Sequence, residues 1–484
     1  MPGRRGLAGA GLGAAAYLDV PSEFRGTSVQ VCGLYPFVVG SGNPSVGVPI
    51  GHHTDNWGAV SFDPISWFRD ANLISNPSVS VLARPGLGKS ALVRHIAIGL
   101  CAAGVTPLIM GDLRPDYREM VHALGGQVIT LGRGRARLNP LDPGAIGSAL
   151  RLLPAGEAAD QLRGELLGRQ RTLLGALVQL VRHDVLPDYE DSALAAALRV
   201  LLERGPTTPG PGSSSPPPDI ADLIACLQAK PDRVRHVLFD RGEDAEYDRL
   251  IDPLLRSLTA VTDGPFGELF SGQSTGQIDL DAPAISIDVS TISDTDSDLQ
   301  AAALLAAWTE GFAAVYAAQS LADAGLAPQR LYLGILDELW RVLRAGTGMV
   351  DRVDRTTRLN RADAMGTIYV THTLDDFAAI ASEQDRAKAK GIISRTGATI
   401  IGGLTSADVD QVQAVVPLSQ RERERIIAWS SPPSFNVATG QQDAPPGQGK
   451  FLIKAGARPG VPVQTVLTPA EMALGDTNSR WHDR

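Results

Sequence analysis

The chain has 484 residues, more than one hydrophobic core usually supports, which points to two or three sub-structures or one large domain carrying an insertion. Hydrophobic residues make up 44% and charged residues 20%, an ordinary globular balance. No run is expected to reach the roughly 20 apolar residues that span a bilayer, so no membrane anchor of its own is anticipated. A formal net charge of −9 argues against a protein coated in DNA-binding surface, while leaving room for a local basic channel inside an acidic oligomer.

Residues 1–46 read as a flexible lead-in with a short strand. Arg4 and Arg5 precede an Ala/Gly/Leu stretch too Gly-broken for a secretory signal. Cys32, Cys101 and Cys226 are widely spaced and odd in number, which suits reduced core thiols and a cytoplasmic location. A short strand is predicted at Ala59–Asp63. Val79–Ala83 is a β-branched apolar run that breaks into a Pro/Gly loop, and the residues after Lys89 carry Leu92, Val93, Ile96 and Leu100 at helical spacing, stopped by Gly104.

Further apolar strands are predicted at Thr106–Gly111, Gln127–Leu131, Ala284–Val289, Arg330–Leu336, Gly366–Val370 and Ala398–Ile401. Strands without polar alternation, separated by helical patterns, predict an α/β fold: a mostly parallel sheet with helices on both faces and ligands beyond the carboxyl ends of the strands. Residues 47–142 and 280–471 would form this domain. Between them, residues 143–279 lose the strand signal and carry Leu162, Leu166, Leu167, Leu173, Leu174, Leu177 and Leu180, the pattern of an inserted all-α subdomain. Its low-complexity run 206–218 is expected to be a disordered loop. A final apolar hairpin is predicted at Phe451–Ile453 and Val461–Val466, before a tail at 472–484.

The loop Ala83-Arg84-Pro85-Gly86-Leu87-Gly88-Lys89-Ser90, followed by Ala91, has the composition of a phosphate cradle, the Walker A motif. Small residues let successive N–H groups face an anion, Lys89 reaches the outer phosphates, Ser90 ligates magnesium, and the helix adds its positive end. Few lysines occur in the chain (Lys89, Lys230, Lys388, Lys390, Lys450 and Lys454), so one inside such a loop is informative. ATP and Mg2+ are the expected ligands. The run Leu331–Leu336 ends in Asp337-Glu338, which supplies a carboxylate for magnesium (Asp337) and one to polarise the attacking water (Glu338). One strand later, Thr371-His372 stands where a γ-phosphate sensor would. Arg352, Arg355, Arg358 and Arg361 recur every third residue, either as a solvated charged face or as guanidinium groups offered to a neighbouring subunit.

With these residues in place, the chain resembles the conjugation and type IV secretion ATPases, the largest secretion ATPase class, within the HerA–FtsK group of ring motors. The resemblance rests on Val60–Asp63 with Asn76-Pro77, Met110-Gly111-Asp112 with Asp116-Tyr117 and Leu124-Gly125-Gly126, Arg137-Leu138-Asn139-Pro140-Leu141-Asp142, and Asp337-Glu338-Leu339-Trp340. It implies a RecA-like P-loop NTPase that forms a homo-oligomer, a hexamer or other ring, beside a membrane-embedded secretion or conjugation channel. It also singles out Arg361, eleven residues before His372, as the finger acting in trans. Three departures stand out: Ala83 where glycine is usual, Ala362 where the family has lysine, and His372 where it has glutamine. The alternative is a HerA- or FtsK-like motor that itself pumps duplex DNA through a pore lined by Arg114, Arg118, Arg133, Arg135 and Arg137.

Overall fold

The computed structural model describes residues 44–204, 216–344, 350, 364–374, 380, 382–436 and 441–474. Its strands are β1 (Pro49–His53), β2 (Ala59–Ser61), β3 (Ser78–Leu82), β4 (Val105–Asp112), β5 (Gln127–Thr130), β6 (Ile285–Asp288), β7 (Leu331–Leu336), β8 (Met365–Thr371), β9 (Ala398–Ile401), β10 (Phe435–Asn436), β11 (Gln441–Gln442), β12 (Lys450–Lys454) and β13 (Val461–Thr465). Apart from the small pair β10–β11, all join one sheet of order β2-β1-β13-β12-β9-β3-β8-β7-β4-β6-β5. From β9 to β5 every pairing is parallel, as continuous apolar runs joined by helices require. The hairpin β12–β13 extends the sheet antiparallel from β9, and β1 and β2 follow it. The antiparallel strand β1 carries Gly51 and two histidines, which hid it from the apolar-run criterion.

Alternate side chains along each central strand enter different cores, because successive residues point to opposite faces. Val79, Val81, Ile109, Leu333, Ile335, Ile368, Val370 and Ile400 pack on one face with Leu92, Val93, Ile96 and Leu100 of the helix Lys89–Ala102. Leu82, Leu108, Met110, Tyr332, Leu336 and Tyr369 pack on the other with the helix Ser297–Asp323. This second core continues without a break into the leucines of the helix Glu157–Arg182, where Leu173, Leu174, Leu177 and Leu180 are buried. Among the described residues no strand lies between 131 and 284; the elements there, from Gly144 to Phe270, are all helices. Residues 206–215 of the low-complexity run lie outside the described residues, but Pro217 and Pro218 are held, their carbonyls accepting from Gln273 Nε2 at 2.8 Å and Asn139 Nδ2 at 2.9 Å.

The helix Ser297–Asp323 is, by length and composition, apolar enough to cross a membrane, contrary to the expectation that no run would qualify. Its most apolar window is 83% buried inside the fold, so its apolar character serves a core helix covered on all sides. Trp308, on this helix, donates from Nε1 to the Met110 carbonyl at 2.7 Å. That carbonyl is available because the pairing of β4 with β6 slips between Met110 and Asp112. Gly111 makes the slip: it sits at φ +101°, and a Cβ there would fall 2.3 Å from Leu304 Cδ2. A bulge of this kind re-aims the next side chain, here Asp112, at the sheet's carboxyl edge. Replacing the fully buried Trp308 with alanine is expected to lower unfolding free energy by about 3–5 kcal/mol, seen as an earlier thermal or urea transition; an unshifted transition would contradict this packing.

Candidate nucleotide site

The loop between β3 and the helix Lys89–Ala102 turns through Gly86 at φ +80° and Gly88 at φ +94°, conformations that favour glycine. No side chain caps the helix N-terminus, so its first N–H groups are left to face a ligand. Leu87 and Lys89 are buried, Gly88, Ser90 and Ala91 are half-buried, and Arg84, Pro85 and Gly86 are exposed. The loop is braced from outside by backbone: Arg84 N–H donates to Gly403 O at 3.2 Å, and Gly449 N–H donates to Leu87 O at 3.0 Å. Ala83, the departure from the usual glycine, is completely buried against Gly402, where a Cβ would lie 2.6 Å from the Ala83 methyl. The methyl that Ala83 adds is thus matched by one that Gly402 lacks.

Because β8 lies between β3 and β7 in the sheet, its end separates the phosphate loop from the Asp337-Glu338 strand end. His372 occupies that gap. Lys89 Nζ donates to Ala83 O at 2.8 Å and to His372 Nδ1, while His372 Nε2 faces Glu338 Oε1 at 3.2 Å. The imidazole thus bridges the ammonium and the carboxylate, one ring nitrogen facing each. Glu338 Oε2 accepts from Trp340 Nε1, and Arg341 and Arg344 lie over the Trp340 ring at 5.0 and 5.1 Å. Glu338 itself is buried at φ +52°, a costly backbone for a non-glycine residue, held where the strand turns into the helix Leu339–Arg344.

The two neighbouring carboxyls have opposite environments. Burial, reinforced by the Glu338 charge, pushes Asp337 up to about 6. Burial also raises Glu338, but the hydrogen bond and charge of His372, the hydrogen bond from Trp340 and the Lys89 charge outweigh it and hold Glu338 down to about 2. Asp337 Oδ1 accepts from the Glu338 N–H at 2.9 Å and Oδ2 from the Tyr117 hydroxyl at 3.1 Å. Tyr117 is fully buried, its phenol pushed well up by burial and by the Asp337 charge, so it stays a donor. Its own N–H donates to Asp112 Oδ2 at 2.9 Å, and Asp112 is pushed up to about 8 by burial and the charges of Asp116 and Asp288. Asp288, opposite Asp112 in the sheet, is paired with Arg118.

Of the residues read from the sequence, Lys89, His372 and Glu338 fall into one row, with Asp337 beside it and Ser90 on the adjoining helix turn. Arg361, with Arg352, Arg355 and Arg358, lies outside the described residues. Among the arginines considered for a pore, Arg118 is engaged by Asp288 and Arg133 by Glu268 and Asp296, while Arg114, Arg135 and Arg137 are exposed. Sequence reasoning gave no site role to Tyr117, Trp340, Gly403 or Gly449. Among the described residues no group of three or more His, Cys, Asp or Glu could hold a metal unaided. A hydroxyl and one carboxylate beside a phosphate cradle suit Mg2+, which keeps most of its waters and takes phosphate oxygens as ligands.

By fold the chain is a RecA-like P-loop protein. That fold is shared with VirB4 of Thermoanaerobacter pseudethanolicus, with a TM-score of 0.63 and 19% identity over 89% of this chain and 100% of that one. Weaker likenesses link it to the plasmid coupling protein TrwB in complex with ADP and Mg2+ (TM-score 0.44, 13% identity, 83% and 87% of the two chains). The cytoplasmic domain of the Thermomonospora curvata type VII secretion ATPase EccC follows (TM-score 0.33, 11% identity, 89% and 30%). These last two are too distant to argue from. No protein-family model matches the sequence, and no curated protein matches it.

The raised carboxyls make stability depend on pH. Asp112 and Glu310 are each pushed up to about 8, Glu310 by burial and then by the Asp142 charge. The folded state therefore keeps protons that the unfolded chain has released, and the stability they contribute is full below about pH 4 and lost as pH rises through about 8. The melting temperature should fall between about pH 6 and pH 9, and the Asp112→Asn, Glu310→Gln double variant should flatten that slope; an unchanged slope would refute the assignment.

Proposed function

We propose that the chain binds and hydrolyses ATP in a ring-shaped homo-oligomer, a hexamer, and that this turnover powers a conjugation-type (type IV) secretion or DNA-transfer apparatus. The observation that carries the enzymatic part is the contact row Lys89–His372–Glu338 across the ends of β3, β8 and β7, beside a glycine-turned loop and an uncapped helix N-terminus. The secretion role rests on the motif resemblance together with the fold shared with VirB4. In this reading the ring works in the cytoplasm, at the inner face of the membrane beside the channel proteins.

In this reading the loop Arg84–Ala91 wraps the phosphates, the N–H groups from Gly86 onward facing them, and Lys89 leaves Ala83 O and His372 for the outer ones. Ser90 and Asp337 hold Mg2+, which neutralises charge on the β- and γ-phosphates when bound. Glu338, kept ionised by its donors, accepts a hydrogen bond from the attacking water and polarises it, and is aimed by Trp340. His372, touching both Lys89 and Glu338, senses the γ-phosphate by exchanging the Lys89 contact for it. Arg361 from the adjacent subunit stabilises the charge spread over the transferring phosphoryl group.

Lys89→Ala should abolish ATP turnover. Arg361→Ala should lower it about 10³-fold or more, and mixing the two variants should restore partial activity, since each supplies what the other's interface lacks. No recovery at any mixing ratio would overturn the trans geometry. A motor that pumps duplex DNA itself would show DNA-stimulated turnover with steep salt dependence, whereas the secretion reading predicts turnover indifferent to DNA.

A further inference from the structure

Tyr117 and Asp337 are 220 positions apart, yet one hydrogen bond joins them at the carboxyl edge of the sheet. The tyrosine is held from both sides. Its N–H is fixed to Asp112, the residue re-aimed by the Gly111 bulge, and its ring is packed in the same core as Met120, Val121, Ile109 and Ile335. Only the hydroxyl leaves that core, and it donates to Asp337 Oδ2 at 3.1 Å. The other oxygen, Oδ1, accepts from the Glu338 N–H at 2.9 Å. Two donors on opposite oxygens define the plane of a carboxylate whose terminal torsion is otherwise broad.

We infer that Tyr117 is a positioning residue for magnesium: through its hydroxyl it fixes the Asp337 carboxylate in the orientation that receives the metal's water shell. The inference rests on the ATPase reading above and adds a residue that touches neither nucleotide nor metal. Without the hydroxyl, Asp337 keeps the Glu338 N–H donor on Oδ1 alone, and its plane is free to turn. Partners that orient a ligand in this way typically change metal affinity or activity by about 10- to 100-fold when removed.

The test is the Mg2+ dependence of ATP turnover by the full chain. Tyr117→Phe keeps the ring and should raise the Mg2+ concentration for half-maximal rate about 10-fold or more, leaving nucleotide binding in EDTA and the melting temperature close to wild type. In an Asp337→Asn background the same substitution should add nothing, because the group it positions is already altered. If the void left in Tyr117→Phe unfolds the protein, 4-fluorophenylalanine placed at position 117 fills the hydroxyl's volume without a donor and should give the same shift. An active wild type whose Mg2+ dependence is unchanged by either replacement overturns the role of Tyr117 alone. A wild type without Mg2+-dependent turnover overturns the ATPase reading and this inference with it.

Discussion

Two adjacent carboxyl groups, Glu338 buried and Asp337 half-buried, lie at the end of one strand, and the rest of the site answers that constraint. Like charges this close, out of water, cannot both be ionised without help. The help is unequal: Glu338 receives His372 and Trp340, while Asp337 receives the Glu338 N–H and Tyr117. Asp337 is pushed up to about 6 and Glu338 held down to about 2, so two neighbouring residues of similar chemistry are made different by their surroundings. The ionised one suits holding and polarising a water by hydrogen bond, and the one that gains from a cation suits magnesium.

Sheet order makes this arrangement possible. Inserting β8 between β3 and β7 opens a gap as wide as one strand between the phosphate loop and the carboxylates, and an imidazole with two functional nitrogens fills it. A glutamine there would also offer a donor and an acceptor. The same edge collects Asp112 and Asp288 from β4 and β6, so acidic residues recur along it and Tyr117 links two of them.

Much of this was legible in the sequence. Apolar runs located β3 to β9 and the hairpin β12–β13, since strands buried on both faces leave an uninterrupted signal. Lys89 was marked by its glycine-rich loop, and Glu338 and His372 by their places at strand ends. What escaped depended on distance or on a residue's second role. Gly51 and the histidines of β1 masked a strand at the sheet's solvated side, and the apolar helix Ser297–Asp323 was passed over because its small alanines look bland. Tyr117 acts across 220 positions and Gly402 across more than three hundred, and no local pattern announces such partners. The reason Ala83 is tolerated lies in Gly402, visible only once β3 and β9 are paired.

The central claim is that Glu338 activates the water that attacks a nucleotide held by the phosphate loop. Single-turnover phosphate release, measured beside equilibrium ATP binding in the Glu338→Gln variant, tests it most directly. Binding should be kept while release slows by about 10²- to 10⁴-fold. Release at the wild-type rate in that variant would contradict the claim.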